Sequence, residues 1–139
     1  VAKSHKTIPN ILASKAFTVS MANEKNIQAI DYLGITSGNK VADKFSKSGL
    51  TAIQSEFVNA PLVQELPLAL ECKFISYDEE SELLLGEIVN VSADESALEE
   101  NGKLSMEKLA PVCYDPAGHG YYLLGKRVGN AFSDGKALQ

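Results

Sequence analysis

The sequence predicts a β-rich α+β fold in one domain, with short helices at its periphery. Residues 68–77 and 83–93 are two long runs of extended character separated by the acidic stretch Asp78-Glu-Glu-Ser-Glu82, which predicts an antiparallel hairpin. The helical segments are short and do not alternate with strands as βαβ units would. With 139 residues the chain has the length of one domain. We therefore expect residues 1–139 to fold as a single sheet-based domain.

The first run of the hairpin has the alternation of a half-buried strand. Its apolar face carries Leu68, Leu70, Cys72 and Phe74. The opposite face carries Glu71, Lys73 and Tyr77 and is expected to be polar. A register with Tyr77 opposite Leu83 places Lys73 opposite Glu87, which predicts a cross-strand ion pair.

Short elements flank the hairpin. Helices are predicted where apolar spacing meets capping or stop residues, at residues 7–14, 24–33, 42–47 and 105–109. Asn23 is expected to cap the second helix, and Gly34 to end it. Further strands are predicted at residues 16–21 and 121–124.

Polar and cationic residues directly precede the first predicted helix. Lys3, Ser4 and Lys6 lie just before Thr7, which is expected to be the N-cap. A helix start presents unpaired N–H groups and the positive end of the helix dipole, so this set suits a phosphate group. The alternative interpretation is an ordinary capped surface helix with two solvated lysines.

Composition narrows the possible partners. A formal net charge of −5 argues against nucleic acid or an anionic membrane as the main partner. No apolar run reaches the length of a membrane span and no signal peptide is visible, so a cytoplasmic protein is expected.

The two cysteines and two histidines have no metal-ligating spacing, so no metal site is expected. Since no motif for acid–base or nucleophilic catalysis is present, an enzyme of this sequence would need a cofactor.

An ordered set of short segments resembles the flavin reductase-like family, including flavoredoxins, whose members fold as FMN-binding split barrels. The segments that carry the resemblance are Phe17-Thr-Val-Ser, Asp31-Tyr-Leu-Gly, Ser37-Gly38, Asp43-Lys44-Phe45, Ala60-Pro61, Leu70-Glu71-Cys72, Gly86-Glu87-Ile88-Val89, Ala93-Asp94-Glu95, Tyr121-Tyr122, Leu124-Gly125 and Ala131-Phe132. The resemblance implies a split β-barrel with short peripheral helices. Family members carry an upstream stretch with the first barrel strands, so we expect this domain to be N-terminally incomplete, with residues 68–74 left as an uncovered edge, and to hold FMN poorly when made alone.

The resemblance also implies a cofactor site. Its residues are Lys3, Ser4, His5, Thr7, Asn10, Ser37, Asp43 and Lys44. The residues at the helix start would hold the FMN phosphate and the adjoining ribityl chain. Ser37 and Asp43 would shape a loop that presents Lys44 to the flavin.

The implied activity is hydride transfer from NAD(P)H to flavin or another acceptor by an oxidoreductase that binds FMN and forms a homodimer. One alternative is a non-enzymatic FMN electron carrier that exchanges electrons with a redox protein partner. A further alternative is a degenerate dimeric split barrel without a cofactor.

Overall fold

The computed structural model describes residues 1–139 and is a sheet-rich α+β structure with few short helices and no closed barrel. The strands are β1 (Ala16–Ser20), β2 (Ala52–Gln54), β3 (Pro61–Val63), β4 (Leu68–Asp78), β5 (Leu83–Ala93), β6 (Val112–Asp115) and β7 (Gly120–Leu123). The helices are α1 (Thr7–Ser14), α2 (Ile27–Ile35), α3 (Lys44–Lys47) and α4 (Met106–Leu109), with 3-10 turns at Glu24–Asn26, Glu95–Ala97 and Asp134–Leu138. The helices are all too short to cross a membrane. The predicted fold class is confirmed.

The strands form three antiparallel sheets, of which the largest has the order β1-β4-β5. Strand β4 is its central strand, with β1 along one edge and β5 along the other. The expectation that residues 68–74 form an uncovered edge is therefore wrong, because β1 pairs with that stretch. The edge strands are β1 and β5, and on β5 the side chains of Leu83, Leu85, Ile88 and Val91 are each about half exposed.

The β4–β5 hairpin is confirmed, and its register follows the prediction from Cys72 to Phe74 but is shifted by one residue on either side of this stretch, with one irregularity between Glu71 and Cys72 and another near the tip. Lys73 lies opposite Glu87 as predicted, whereas Tyr77 lies opposite Leu84. A bulge between Phe74 and Ser76 accounts for the one-residue shift. The predicted ion pair does not form: the two ion pairs of the structure are Lys47–Asp43 and Lys108–Glu99.

The expected polar face of β4 is wrong at Glu71. This side chain is fully buried, at 0% exposure. Cys72, on the opposite face, is also buried. Glu71 tolerates burial because Ser55, Asn90 and Ser92 all donate hydrogen bonds to its carboxylate.

The helices follow the sequence signals with corrections at α1 and α2. Residues 24–26 form a 3-10 turn before α2, and the expectation that Gly34 ends this helix is wrong, because α2 continues through Gly34 to Ile35. The side-chain oxygen of Asn23 accepts a hydrogen bond from the Asn26 N–H at 3.2 Å, as the predicted cap requires. Helix α1 has the predicted bounds, but Thr7 is its first helical residue and Lys6 is at the N-cap position, without a side-chain cap bond. Lys15 ends α1 in the left-handed conformation, with φ of 56°.

The fully buried part of the fold is small, with 15 of 139 residues buried. One cluster joins Ala16, Val58 and Ala60, with Val89 of β5 packed against it. This cluster lies between β1 and the segment that precedes β3. It positions the site described next, because two of its members also line a cavity.

Candidate functional site

A cavity of about 420 Å³ lies between α1, β1 and the segment before β3. One face of α1 contributes Thr7, Asn10, Ile11 and Ser14, at the i, i+3, i+4, i+7 spacing of a helix face. Residues 16–19 of β1 and residues 59–61 form the other walls, and Leu84 of β5 completes them. The volume lies within the range of roughly 300–1,000 Å³ that is typical of small-molecule sites.

The cavity is mainly apolar and carries no charged side chain among its 13 lining residues. Its polar side chains belong to Thr7, Asn10 and Ser14 on α1, to Thr18 on β1 and to Asn59. The side chains of Thr7 and Asn10 make no hydrogen bond within the protein, whereas the Ser14 hydroxyl donates to the Ala16 carbonyl at 2.8 Å. Two polar side chains are therefore free to bind a ligand along the helix face.

The start of α1 lies at one end of this cavity and retains free donors. The N–H of Ile8 donates to the His5 carbonyl at 3.2 Å, but the N–H groups of Lys6 and Thr7 donate to no protein acceptor. No acidic residue lies in the first turn and no side chain caps it. The positive end of the helix is therefore not neutralised, which is the condition for anion binding.

The loop after α2 is fastened to this helix start. The Asn39 side-chain amide donates to the Ser4 carbonyl at 2.8 Å, and the Ser37 hydroxyl accepts the Asn39 N–H at 3.3 Å. Gly38 approaches Lys6 so closely that an added Cβ would lie 3.2 Å from the Lys6 Cβ. The structure thus brings Ser4 and Ser37, two predicted site residues far apart in sequence, to the same place.

Lys44 binds the backbone at the end of α2, where this loop begins. Its ammonium donates to the Leu33 carbonyl at 2.9 Å and to the Thr36 carbonyl at 2.8 Å, which ties α3 to the end of α2. Two of its three donors are occupied, and Lys44 does not line the cavity. Its contact with a flavin stays a prediction, whereas its bonds to the backbone are a structural role.

Besides Ser4, Ser37 and Lys44, three other predicted residues do not line the cavity, so that only Thr7 and Asn10 of the predicted set do. The Asp43 carboxylate pairs with Lys47 at 3.1 Å on the surface. The Lys3 backbone N–H donates to a carboxylate oxygen of Glu82 at 2.9 Å, while its ammonium has no acidic partner. His5 is exposed, and its imidazole makes no hydrogen bond.

Several lining residues were not predicted as site residues. Phe17, Ala60 and Pro61 lie in segments that carry the family resemblance, but no role was attached to them. Ser14 could have been found by extending the helical spacing of Thr7 and Asn10. Asn59 has no local signal, because only the fold brings its segment against β1.

The fold and the cavity define a class: a sheet-rich α+β domain with a neutral pocket that ends at an uncapped helix start. Residues 1–119 match the flavin reductase like domain family, and the chain belongs to this family.

Similar proteins agree with this assignment. Flavoredoxin of Desulfovibrio vulgaris (Miyazaki F) is 38% identical, with a TM-score of 0.90 over 97% of this chain and 73% of that one. An FMN-binding domain of a flavin reductases-like enzyme from Shewanella baltica OS155 shares the fold, at 20% identity and a TM-score of 0.82 over 94% of this chain and 71% of that one. An uncharacterized protein of Aquifex aeolicus (strain VF5) is 31% identical over 108 residues, which span 76% of this chain and 55% of that protein's length.

Proposed function

We propose that this protein binds FMN and transfers hydride from NAD(P)H to flavin or another acceptor, as a flavin reductase-like oxidoreductase. One observation carries the proposal: a neutral, mainly apolar cavity ends at the free N–H groups of the α1 start. FMN combines a flat ring system with a terminal phosphate, so its two ends match the two ends of this site.

The residues present fit such a ligand. The N–H groups of Lys6 and Thr7, together with Ser4 and Lys3 just upstream in the sequence, would hold the phosphate. Asn10 would bind the ribityl hydroxyls from the next turn of α1. When bound, FMN supplies the hydride-accepting centre of the reaction.

The protein's own part in the reaction is binding, orientation and exclusion of water. None of the lining side chains is ionisable, so no side chain of the cavity offers a general acid or base. Phe17 and Ala60 would bury the ring from two sides. This division of labour is typical of proteins whose cofactor carries the chemistry.

The likeness to flavoredoxin favours a second candidate, a non-enzymatic FMN electron carrier that works with a redox protein partner. An anaerobic stopped-flow experiment on the FMN-loaded full-length protein separates the two. Rapid loss of the oxidised flavin absorbance on adding NADH or NADPH supports the reductase. Bound FMN that dithionite reduces but neither nucleotide reduces supports the carrier, and a protein that binds no FMN refutes both.

The proposal includes a homodimer in the cytoplasm. The free edge of β5 carries four half-exposed apolar side chains, and such edges recruit partner strands. Cys72 and Cys113 are free thiols, in keeping with a reducing compartment. Size-exclusion chromatography with light scattering tests the dimer, and a monomer at micromolar concentration would refute it.

A further inference from the structure

A buried carboxylate lies behind one wall of the cavity. Glu71 is fully buried in the central strand of the sheet and has no cationic partner. One carboxylate oxygen accepts the Asn90 amide at 2.7 Å and the Ser92 hydroxyl at 2.5 Å, and the other accepts the Ser55 hydroxyl. Burying a charge without a counter-ion is costly. The burial of this carboxylate therefore calls for a functional explanation.

The Ser55 hydroxyl connects this carboxylate to the cavity wall. It accepts the Phe57 N–H at 3.0 Å and the Val58 N–H at 2.9 Å, while its own proton goes to Glu71. A hydroxyl has one donor and two acceptor sites, so every site of Ser55 is in use. Its orientation therefore depends on an acceptor at Glu71.

The same segment continues into the residues that line the cavity. The Ala60 N–H donates to the Val58 carbonyl at 2.8 Å. The Pro61 carbonyl accepts the Thr18 hydroxyl at 2.6 Å, and Thr18 is the β1 residue opposite Glu71. The wall is thus fastened to the sheet at both ends, by Ser55 at one end and by Thr18 at the other.

We propose that Glu71 is a positioning residue for the cofactor cavity, acting through Ser55 to hold residues 57–61 against β1. The inference rests on the proposed function, because it assigns FMN as the ligand that this wall contacts. An apolar side chain could fill the space of Glu71 but would leave the Ser55 proton without an acceptor.

The amide variant separates the acceptor from the charge. Both acceptor sites of Ser55 are occupied by N–H groups, so Ser55 can only donate to the side chain at position 71. In Glu71→Gln, the side-chain carbonyl oxygen must therefore face Ser55, and the NH₂ group must face Asn90 and Ser92. The Ser92 hydroxyl can accept that NH₂ group, and Asn90 can rotate its amide to do so. Glu71→Gln therefore keeps the wall in place, whereas Glu71→Ala removes the acceptor.

The test measures FMN affinity and amide hydrogen exchange on the full-length protein. Ser55→Ala has a matched control in Ser105→Ala, because Ser105 is equally buried, at 5% exposure against 6%, and caps α4 away from the cavity. We expect Ser55→Ala and Glu71→Ala to weaken FMN binding about tenfold and to speed amide exchange at residues 57–60 about tenfold. Glu71→Gln should stay within about threefold of the wild type in both measurements. Ser105→Ala should change neither.

If amide exchange at residues 57–60 is unchanged in both Ser55→Ala and Glu71→Ala, the inference is overturned, whether or not FMN is bound during the measurement. Faster exchange with unchanged FMN affinity overturns the link to the cofactor. Faster exchange in a protein whose wild type binds no FMN refutes the proposed function but supports the role of Glu71 in holding the wall. Should Glu71→Ala fail to fold, Ser55→Ala against Ser105→Ala decides the question alone.

Discussion

The ring of Phe17 lies against Gly86, so that a Cβ added to this glycine would be 2.4 Å from the Phe17 Cζ atom. Phe17 lies on β1 and Gly86 on β5, and the absence of a side chain at Gly86 lets the ring reach across the sheet. Phe17 is also a lining residue of the candidate FMN cavity. The shape of the cavity therefore depends on a residue that does not line it.

Gly86→Ala should lower both stability and FMN affinity. The backbone carbonyl of Lys73 lies 3.1 Å from the added Cβ, so Phe17 must move, at a cost of about 1–3 kcal/mol in the free energy of unfolding. Gly34→Ala is the control, because nothing lies within 4 Å of its added Cβ. Urea unfolding and FMN titration provide the readouts. Equal stability and equal FMN affinity in the two variants would show that the Phe17 contact is unimportant.

Lys3→Ala should weaken FMN binding by about 10- to 150-fold, because a charge-assisted contact to phosphate contributes roughly 1.5–3 kcal/mol. Riboflavin provides the control ligand, because it has the ring and ribityl chain of FMN but no phosphate. Its affinity should be the same in Lys3→Ala and the wild type. An equal loss for both ligands would mean that Lys3 acts on the fold and not on the phosphate.

Lys44→Ala should loosen the loop that packs on the start of α1. It removes two hydrogen bonds from an ammonium to backbone carbonyls, so the free energy of unfolding should fall by about 1–3 kcal/mol. FMN affinity should fall as well, while the protein stays folded. Lys47→Ala removes only an exposed i, i+4 pair and should cost less than about 0.5 kcal/mol. Indistinguishable effects of the two variants would argue against a role for Lys44 in the site.

The contribution of Glu71 to stability should disappear in acid. Burial acts to raise the pKa of Glu71, but hydrogen bonds from Ser55, Ser92 and Asn90 hold this pKa below its ordinary value of 4.5. Folding therefore favours the ionised form, and its stabilisation is complete above the unfolded-state pKa and is lost as pH falls through the folded-state pKa. Because Glu71→Gln cannot ionise, the difference in free energy of unfolding between the wild type and this variant should be constant above about pH 5.5 and shrink below it.

Urea unfolding across this pH range measures the difference. Four other carboxylates also have lowered pKa values: Glu65, Asp78, Asp94 and Glu99. Because both proteins contain them, their contributions to the pH dependence cancel in the difference. A difference that grows toward acid would show that Glu71 is protonated in the folded protein.

Local patterns in the sequence predicted the hairpin, α1 and α2, because each depends on periodicity and capping within a few residues. Strand β6 was missed, since its four residues, with Cys113 and Tyr114 both exposed, show no alternation of buried and exposed side chains. The burial of Glu71 was missed for another reason. Its partners Ser55, Asn90 and Ser92 lie 16 to 21 residues away, so no local pattern identifies them.

The candidate site was likewise predictable only where it depends on local sequence. Thr7 and Asn10, which line the cavity, were predicted from the sequence because a helix start is a local feature with known chemistry. The cavity wall at Asn59 depends on long-range packing and was not found. Lys44 was predicted to lie at the flavin site, which stays a prediction because Lys44 does not line the cavity. Its backbone partners at Leu33 and Thr36 depend on how α3 folds back onto α2.

The most direct test of the proposed site is a titration of the full-length, ¹⁵N-labelled protein with FMN, followed by amide chemical shifts in NMR spectra. We expect the largest shifts at Lys6 and Thr7, from the phosphate, and at Phe17 and Ala60, from the ring. A second, polar cavity lined by Asn23 and Lys108 provides an internal control and should not respond. Saturable shifts at the α1 start and along β1 would support the account. An absence of shifts at these residues, or shifts confined to the second cavity, would contradict it.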